Sequence, residues 1–94
     1  MDANELVAWN VRRLRVARGV SQETLAVDAG IDRTYVSRLE RTFGARAGQK
    51  TENPTVAVLE RLASALSVEI VELFAVPAPG AAAPAVLPKG RRKR

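Results

Sequence analysis

The stretch from Ser21 to Glu40, SQETLAVDAGIDRTYVSRLE, leaves the chain few ways to fold. Ser21 and Asp32 are residue types whose side-chain oxygen can accept from a free backbone N–H at the start of a helix. Between them Ala29-Gly30-Ile31 makes a corner at glycine. Leu25 and Ala26 fall on the inward side of the first segment, Val36 and Leu39 on that of the second. The pattern predicts two short helices, Ser21–Ala29 and Asp32 to about Arg41, joined by a tight turn.

The flanking sequence reads as support for this pair. From about residue 4 to 18, Val7, Val11, Leu14 and Arg18 recur at helical spacing, with Leu6 and Trp9 bordering the stripe and Gly19 as the stop. Thr42 to Asn53 has no apolar period, and Gly44, Gly48 and Asn53-Pro54 mark a loop. Thr55 caps a fourth helix carrying Val56, Leu59, Leu62, Ala63 and Leu66, Ser67 permits a break, and Val68 to about Phe74 reads as a fifth. With only four aromatic residues, a core of Leu, Val and Ala suits packed helices. From Pro77 the composition turns to Pro, Ala and Gly, which cannot bury enough surface to order itself. The expected architecture is all-α: a five-helix domain over residues 1–76, then a disordered Pro/Ala linker and basic tail over 77–94.

Several chemistries have no residues to run on. The chain holds no Cys and no His, so disulfides, thiolate metal sites and the commonest general base are missing. No group stands out as catalytic, and no metal, cofactor or small-molecule ligand is expected. No apolar run approaches the roughly 20 residues of a membrane span. The start MDANEL lacks a signal-peptide pattern, so a cytoplasmic location is expected.

The charge is unevenly placed. Residues 1–76 hold ten basic and ten acidic side chains, and the excess of +5 comes from Lys89, Arg91, Arg92, Lys93 and Arg94. Residues 31–50 carry five basic groups against Asp32 and Glu40, whereas 51–76 carry Arg61 against four glutamates. A polyanion should prefer the first side. Two short helices at this spacing, on that side, form a helix-turn-helix, whose second helix enters the major groove of duplex DNA.

The combined pattern resembles the phage-repressor and Cro-type helix-turn-helix family, also called the xenobiotic-response-element family. The residues that carry it are Val11-Arg12-Arg13-Leu14-Arg15, Gly19 to Ala26, Ala29 to Arg41, Asn53-Pro54-Thr55, Leu59, Leu62-Ala63, Ala65-Leu66, Val68 and Leu73-Phe74. The resemblance implies a five-helix domain, usually a dimer on DNA, with the helix from Asp32 as the recognition helix. It implies that Gln22 bonds a phosphate and braces the first reading side chain, and that Arg15 and Glu40 form a buried ion pair. One departure is plain: Glu40 and Pro54 stand fourteen positions apart, roughly eight more than the family's usual spacing.

The outward face of the recognition helix offers Arg33, Thr34, Ser37 and Arg38 as base readers, arginine because it can donate twice to a guanine edge. For Arg33 and Arg38 the alternatives are phosphate contact or pairing with a nearby Asp or Glu. Tyr35 either bonds a phosphate or covers the helix junction. Arg41, Arg46 and Lys50 would reach flanking phosphates, or carry incidental charge. The basic tail either follows the DNA backbone or only solubilises. Ile70, Val71 and Phe74, together with Leu66 and Val68, exceed what a small core needs, so Ile70, Val71 and Phe74 are the candidate dimer patch; otherwise they seal the monomer.

The reading that follows is a sequence-specific DNA-binding transcriptional regulator, a repressor acting as a homodimer on a two-fold related operator. Its rivals are an antitoxin or controller protein of a toxin–antitoxin or restriction–modification operon whose main partner is another protein, a DNA-free adaptor on the same scaffold, and, least supported, a small enzyme.

Overall fold

The computed structural model describes residues 1–43 and 52–80, and the described residues form helices and turns without strands. The elements are α1 (Ala3–Ala17), α2 (Gln22–Ala29), α3 (Arg33–Arg41), α4 (Val56–Ala65) and a 3-10 helix, Ile70–Phe74. The all-α expectation therefore stands. The expected fifth helix is shorter than Val68–Phe74 and has the tighter 3-10 winding. The expected linker and basic tail lie, from residue 81 onward, outside the described residues.

Helix starts follow the caps with one exception. Asp2 and Glu5 form a reciprocal capping box on α1, Ser21 accepts from the Thr24 N–H, and Thr55 accepts from the Val58 N–H. Asp32 holds the capping position of α3 but makes no side-chain cap bond. The backbone differs there: the three working caps have ψ between 164° and 178°, whereas Asp32 has ψ 140°.

Three of the four α-helices, α1, α2 and α4, end by one device. At Gly30 the Ile31 N–H reaches back to the Ala26 carbonyl and the Gly30 N–H to that of Val27, with Gly30 at φ 71°. Arg61 of α4 adds a bond from Nη1 to the Gly30 carbonyl at 3.3 Å, tying α4 to the corner between α2 and α3. The same pair of bonds ends α1 at Gly19 and α4 at Ser67, and Ser67 takes φ 59° without being glycine.

One apolar core joins the elements. Val7 and Val11 of α1, Leu25 and Ala29 of α2, Val36 and Leu39 of α3, and Leu59 and Leu62 of α4 meet there, closed by Leu66 and Leu73. Leu66 is thus core, and Val68 packs against it half-buried. One member of the expected α1 stripe, Arg18, and one of its borders, Trp9, are corrected. Arg18 is exposed because the helix is ending there, and Trp9 is buried, its ring meeting Phe43 edge-on at 5.2 Å.

Asn10 is buried on α1 among apolar neighbours. Its amide donates to the carbonyls of Leu6, Leu73 and Ala75 and its oxygen accepts from the Arg13 guanidinium. A buried amide without partners would be costly, so this set of bonds fixes where the 3-10 helix lies on α1.

Candidate nucleic-acid interface

α3 divides cleanly into two faces. Val36, Leu39 and Glu40 are buried, while Arg33, Thr34, Arg38 and Arg41 are exposed and Ser37 is half-buried. Thr34, Ser37, Arg38 and Arg41 stand three and four residues apart, so they form one outward stripe. Three of the predicted base readers, Thr34, Ser37 and Arg38, therefore lie on the stripe turned from the core, and Arg33 is exposed beside it. Arg46 and Lys50 lie outside the described residues.

The pitch of α3 is set at its inner end by Glu40, whose side chain is fully buried. Arg15 Nε donates to Glu40 Oε2 at 2.6 Å and Arg15 Nη2 to Oε1 at 2.9 Å. Arg12 Nε adds 3.2 Å and Gln22 Nε2 adds 3.1 Å, both to Oε1. Arg15 Nη1 also donates to the Val20 carbonyl at 2.9 Å. One carboxylate thus gathers α1, the start of α2 and the end of α3. Every buried side-chain nitrogen and oxygen among the described residues has a partner, the condition under which a buried ion pair is sustainable.

This cluster contains the expected Arg15–Glu40 pair and enlarges it. Arg12 was not foreseen, although its position three residues before Arg15 puts both on one helix face. Gln22 braces the last turn of α3, through Glu40, rather than the first reading side chain, because its amide nitrogen lies within reach of Oε1.

A second carboxylate acts on the outer face. Arg38 Nε donates to Glu52 Oε2 at 2.6 Å, with the arginine side chain 45% exposed and the glutamate 20%. The Glu52 N–H donates to the Thr42 hydroxyl at 3.1 Å, and that hydroxyl donates to the Arg38 carbonyl at 3.3 Å. Of the alternatives for Arg38, pairing with a glutamate is the one seen in this structure. Counting charge along the chain had placed Glu52 with the negative half, but the fold brings it onto the recognition helix. Its hydrogen bond, and then its charge, hold the Arg38 guanidinium above its ordinary pKa.

Tyr35 is half-buried against the core, which favours its role as a cover over the junction. Burial, and then the charge of Glu52, raise its phenol above the usual value against an opposing effect of Arg38. The hydroxyl stays protonated at neutral pH.

With this geometry established, the relatives decide the family. A family model described as a helix-turn-helix domain matches residues 6–75. The chain belongs to the helix-turn-helix domain family. It is 40% identical over 76 residues to a Neisseria hypothetical transcription factor from Neisseria meningitidis, covering 81% of this chain and 64% of that protein. The restriction-modification controller protein C.AhdI from Aeromonas hydrophila superposes with a TM-score of 0.64 at 38% identity, over 76% of this chain and 96% of that one. C.Esp1396I, solved bound to a 19 base pair DNA duplex, superposes with a TM-score of 0.64 at 30% identity, over 79% of this chain and 88% of that one. No described helix of this family member is long and apolar enough to cross a membrane.

Proposed function

We propose that this chain is a sequence-specific DNA-binding transcriptional regulator that lays α3 in the major groove. The observation carrying this reading is the two-faced α3: an outward stripe of Thr34, Ser37 and Arg38 with Arg33 beside it, held from behind by the Glu40 cluster. Side chains on such a stripe sample base edges, while Gln22, Arg41, Arg46 and Lys50 serve the phosphates and so fix register, with Tyr35 covering the helix junction. Residues 1–76 act as the DNA-binding unit, with 77–94 appended to it. The described residues offer no group of acidic side chains able to hold a metal ion, and the reading needs none.

The working form is a homodimer, with Ile70, Val71 and Phe74 at the subunit contact. Val71 is 68% exposed and Phe74 39%, beside the buried Leu73. The Asn10 bonds to Leu73 and Ala75 hold that segment in place. A two-fold dimer reads a two-fold related operator, and occupying that operator represses by excluding polymerase. Likeness to C.AhdI favours a second, narrower reading in which the regulated genes are those of a restriction–modification operon.

Selection of bound sequences from a random duplex pool, followed by titration at several salt concentrations, tests the proposal. The expected result is a two-fold symmetric consensus and an affinity that falls steeply with salt as phosphate contacts release counterions. Failure to enrich any sequence overturns the regulator reading. An asymmetric single half-site overturns the dimer.

A further inference from the structure

The Glu40 cluster explains how α3 is tilted, but not why a second carboxylate sits on its reading face. A bare glutamate beside a DNA-facing helix is electrostatically adverse, since it repels phosphate. Glu52 nevertheless has a built position. Its N–H is fixed to the Thr42 hydroxyl, Thr42 is buried, and the same hydroxyl is tied to the Arg38 carbonyl.

Exposure decides what this arrangement does. The Arg38 side chain is more than twice as exposed as that of Glu52, so the carboxylate does not cover it and it stays open to solvent. The contact engages Nε, on the inner side of the guanidinium. The two Nη atoms at its outer end are the ones that can donate side by side to the O6 and N7 of a guanine. An unsupported arginine would lose several rotatable bonds' worth of freedom when it read a base. One already held at Nε loses less.

We propose that Glu52 is a specificity-determining positioning residue, which holds Arg38 by its Nε so that its Nη edge is presented to a guanine in the major groove. The proposal rests on the DNA-regulator reading above and adds to it a residue outside the helix-turn-helix. Glu52 touches no base. It acts through Arg38, and its effect is confined to the base pair that Arg38 reads.

The test uses the full chain, with the duplex selected for the unsubstituted protein and a scrambled duplex of equal length, at one salt concentration. Glu52→Ala, Glu52→Gln and Arg38→Ala are compared after thermal melting confirms that each is folded. Glu52→Ala should weaken binding to the selected duplex about tenfold, at the low end of what one bidentate base contact discriminates. Binding to the scrambled duplex should hold steady or tighten, because a negative charge has been removed. Glu52→Gln, which keeps an acceptor for Nε, should lose less. A base-by-base substitution scan should show Glu52→Ala relaxing preference at a G·C pair that Arg38→Ala also relaxes, and nowhere else.

If Glu52→Ala tightens both duplexes alike, the carboxylate only competes with DNA for Arg38, and the proposal is wrong. An unchanged base profile overturns it equally. If the unsubstituted protein selects no duplex at all, the regulator reading fails first, and the proposal falls with it.

Discussion

Two carboxylates, Glu40 on α3 and Glu52 beside it, make the same kind of bond and do opposite things. Glu40 is fully buried and receives four hydrogen bonds from three side chains on α1 and α2. Glu52 is partly exposed and its carboxylate receives one, from Arg38. Desolvation makes the difference. A buried charge is tolerated only while every partner stays, so the inner cluster behaves as a fixed joint. An exposed pair is screened by water and salt, so the outer contact can guide Arg38 by its Nε while its Nη edge still adjusts to a base. A reading helix needs both: an orientation that does not yield, and side chains that do.

The sharpest way to break this contrast is to empty the inner cluster. Glu40→Ala leaves Arg15 and Arg12 facing each other with no counter-charge, and Arg15 is buried. The expected loss is about 3–5 kcal/mol, read as a large drop in the urea midpoint with unchanged slope. DNA binding should fall with it on every sequence alike, because the whole helix loses its seat. A small change in midpoint would mean that the inner joint carries no more weight than a surface pair.

Arg12→Ala grades the contrast. Arg12 belongs to the inner cluster, but its side chain is 22% exposed. Its removal leaves Glu40 with Arg15 and Gln22, so the expected cost is intermediate, about 1–2 kcal/mol. A cost equal to that of Glu40→Ala would show that the cluster fails as a unit, not in proportion to burial.

The same contrast explains what could be read from the chain. Ser21, Thr55, Gly30 and the Val36–Leu39 side of α3 announced themselves because caps, corners and helical periods are local. Asp32 looked equally sound as a cap but makes no cap bond, which its residue type does not reveal. Asn10 was passed over because a polar residue within an apolar stripe reads as a solvated position, and only the return of Leu73 and Ala75 to α1 gives it partners. Arg15–Glu40 was legible through likeness to a family, whereas Arg12 as a third member was not. Glu52 was invisible for a stricter reason. It lies fourteen positions beyond Arg38, across a stretch without period, and counting charge by segment assigned it to the wrong side of the molecule. Local chemistry marks the helices and their faces; polar contacts between distant segments exist only once the core has closed.

The smallest expected effect is also the most discriminating. Removing the outer pair, by Arg38→Ala, Glu52→Ala and the double substitution, should leave the melting temperature within about 2 °C of the parent, as for an exposed ion pair. Whatever coupling the double-mutant cycle detects should fade in high salt, because solvent reaches both partners. Thr42 keeps its bond to the Arg38 carbonyl in all three variants, since that bond uses the backbone, so the end of α3 has no reason to fray. A drop as large as that of Arg12→Ala, persisting in salt, would make Glu52 a second fixed joint. Arg38 would then be locked in place and unable to adjust its Nη edge to a base, and the division of labour between the inner and outer faces of α3 would not hold.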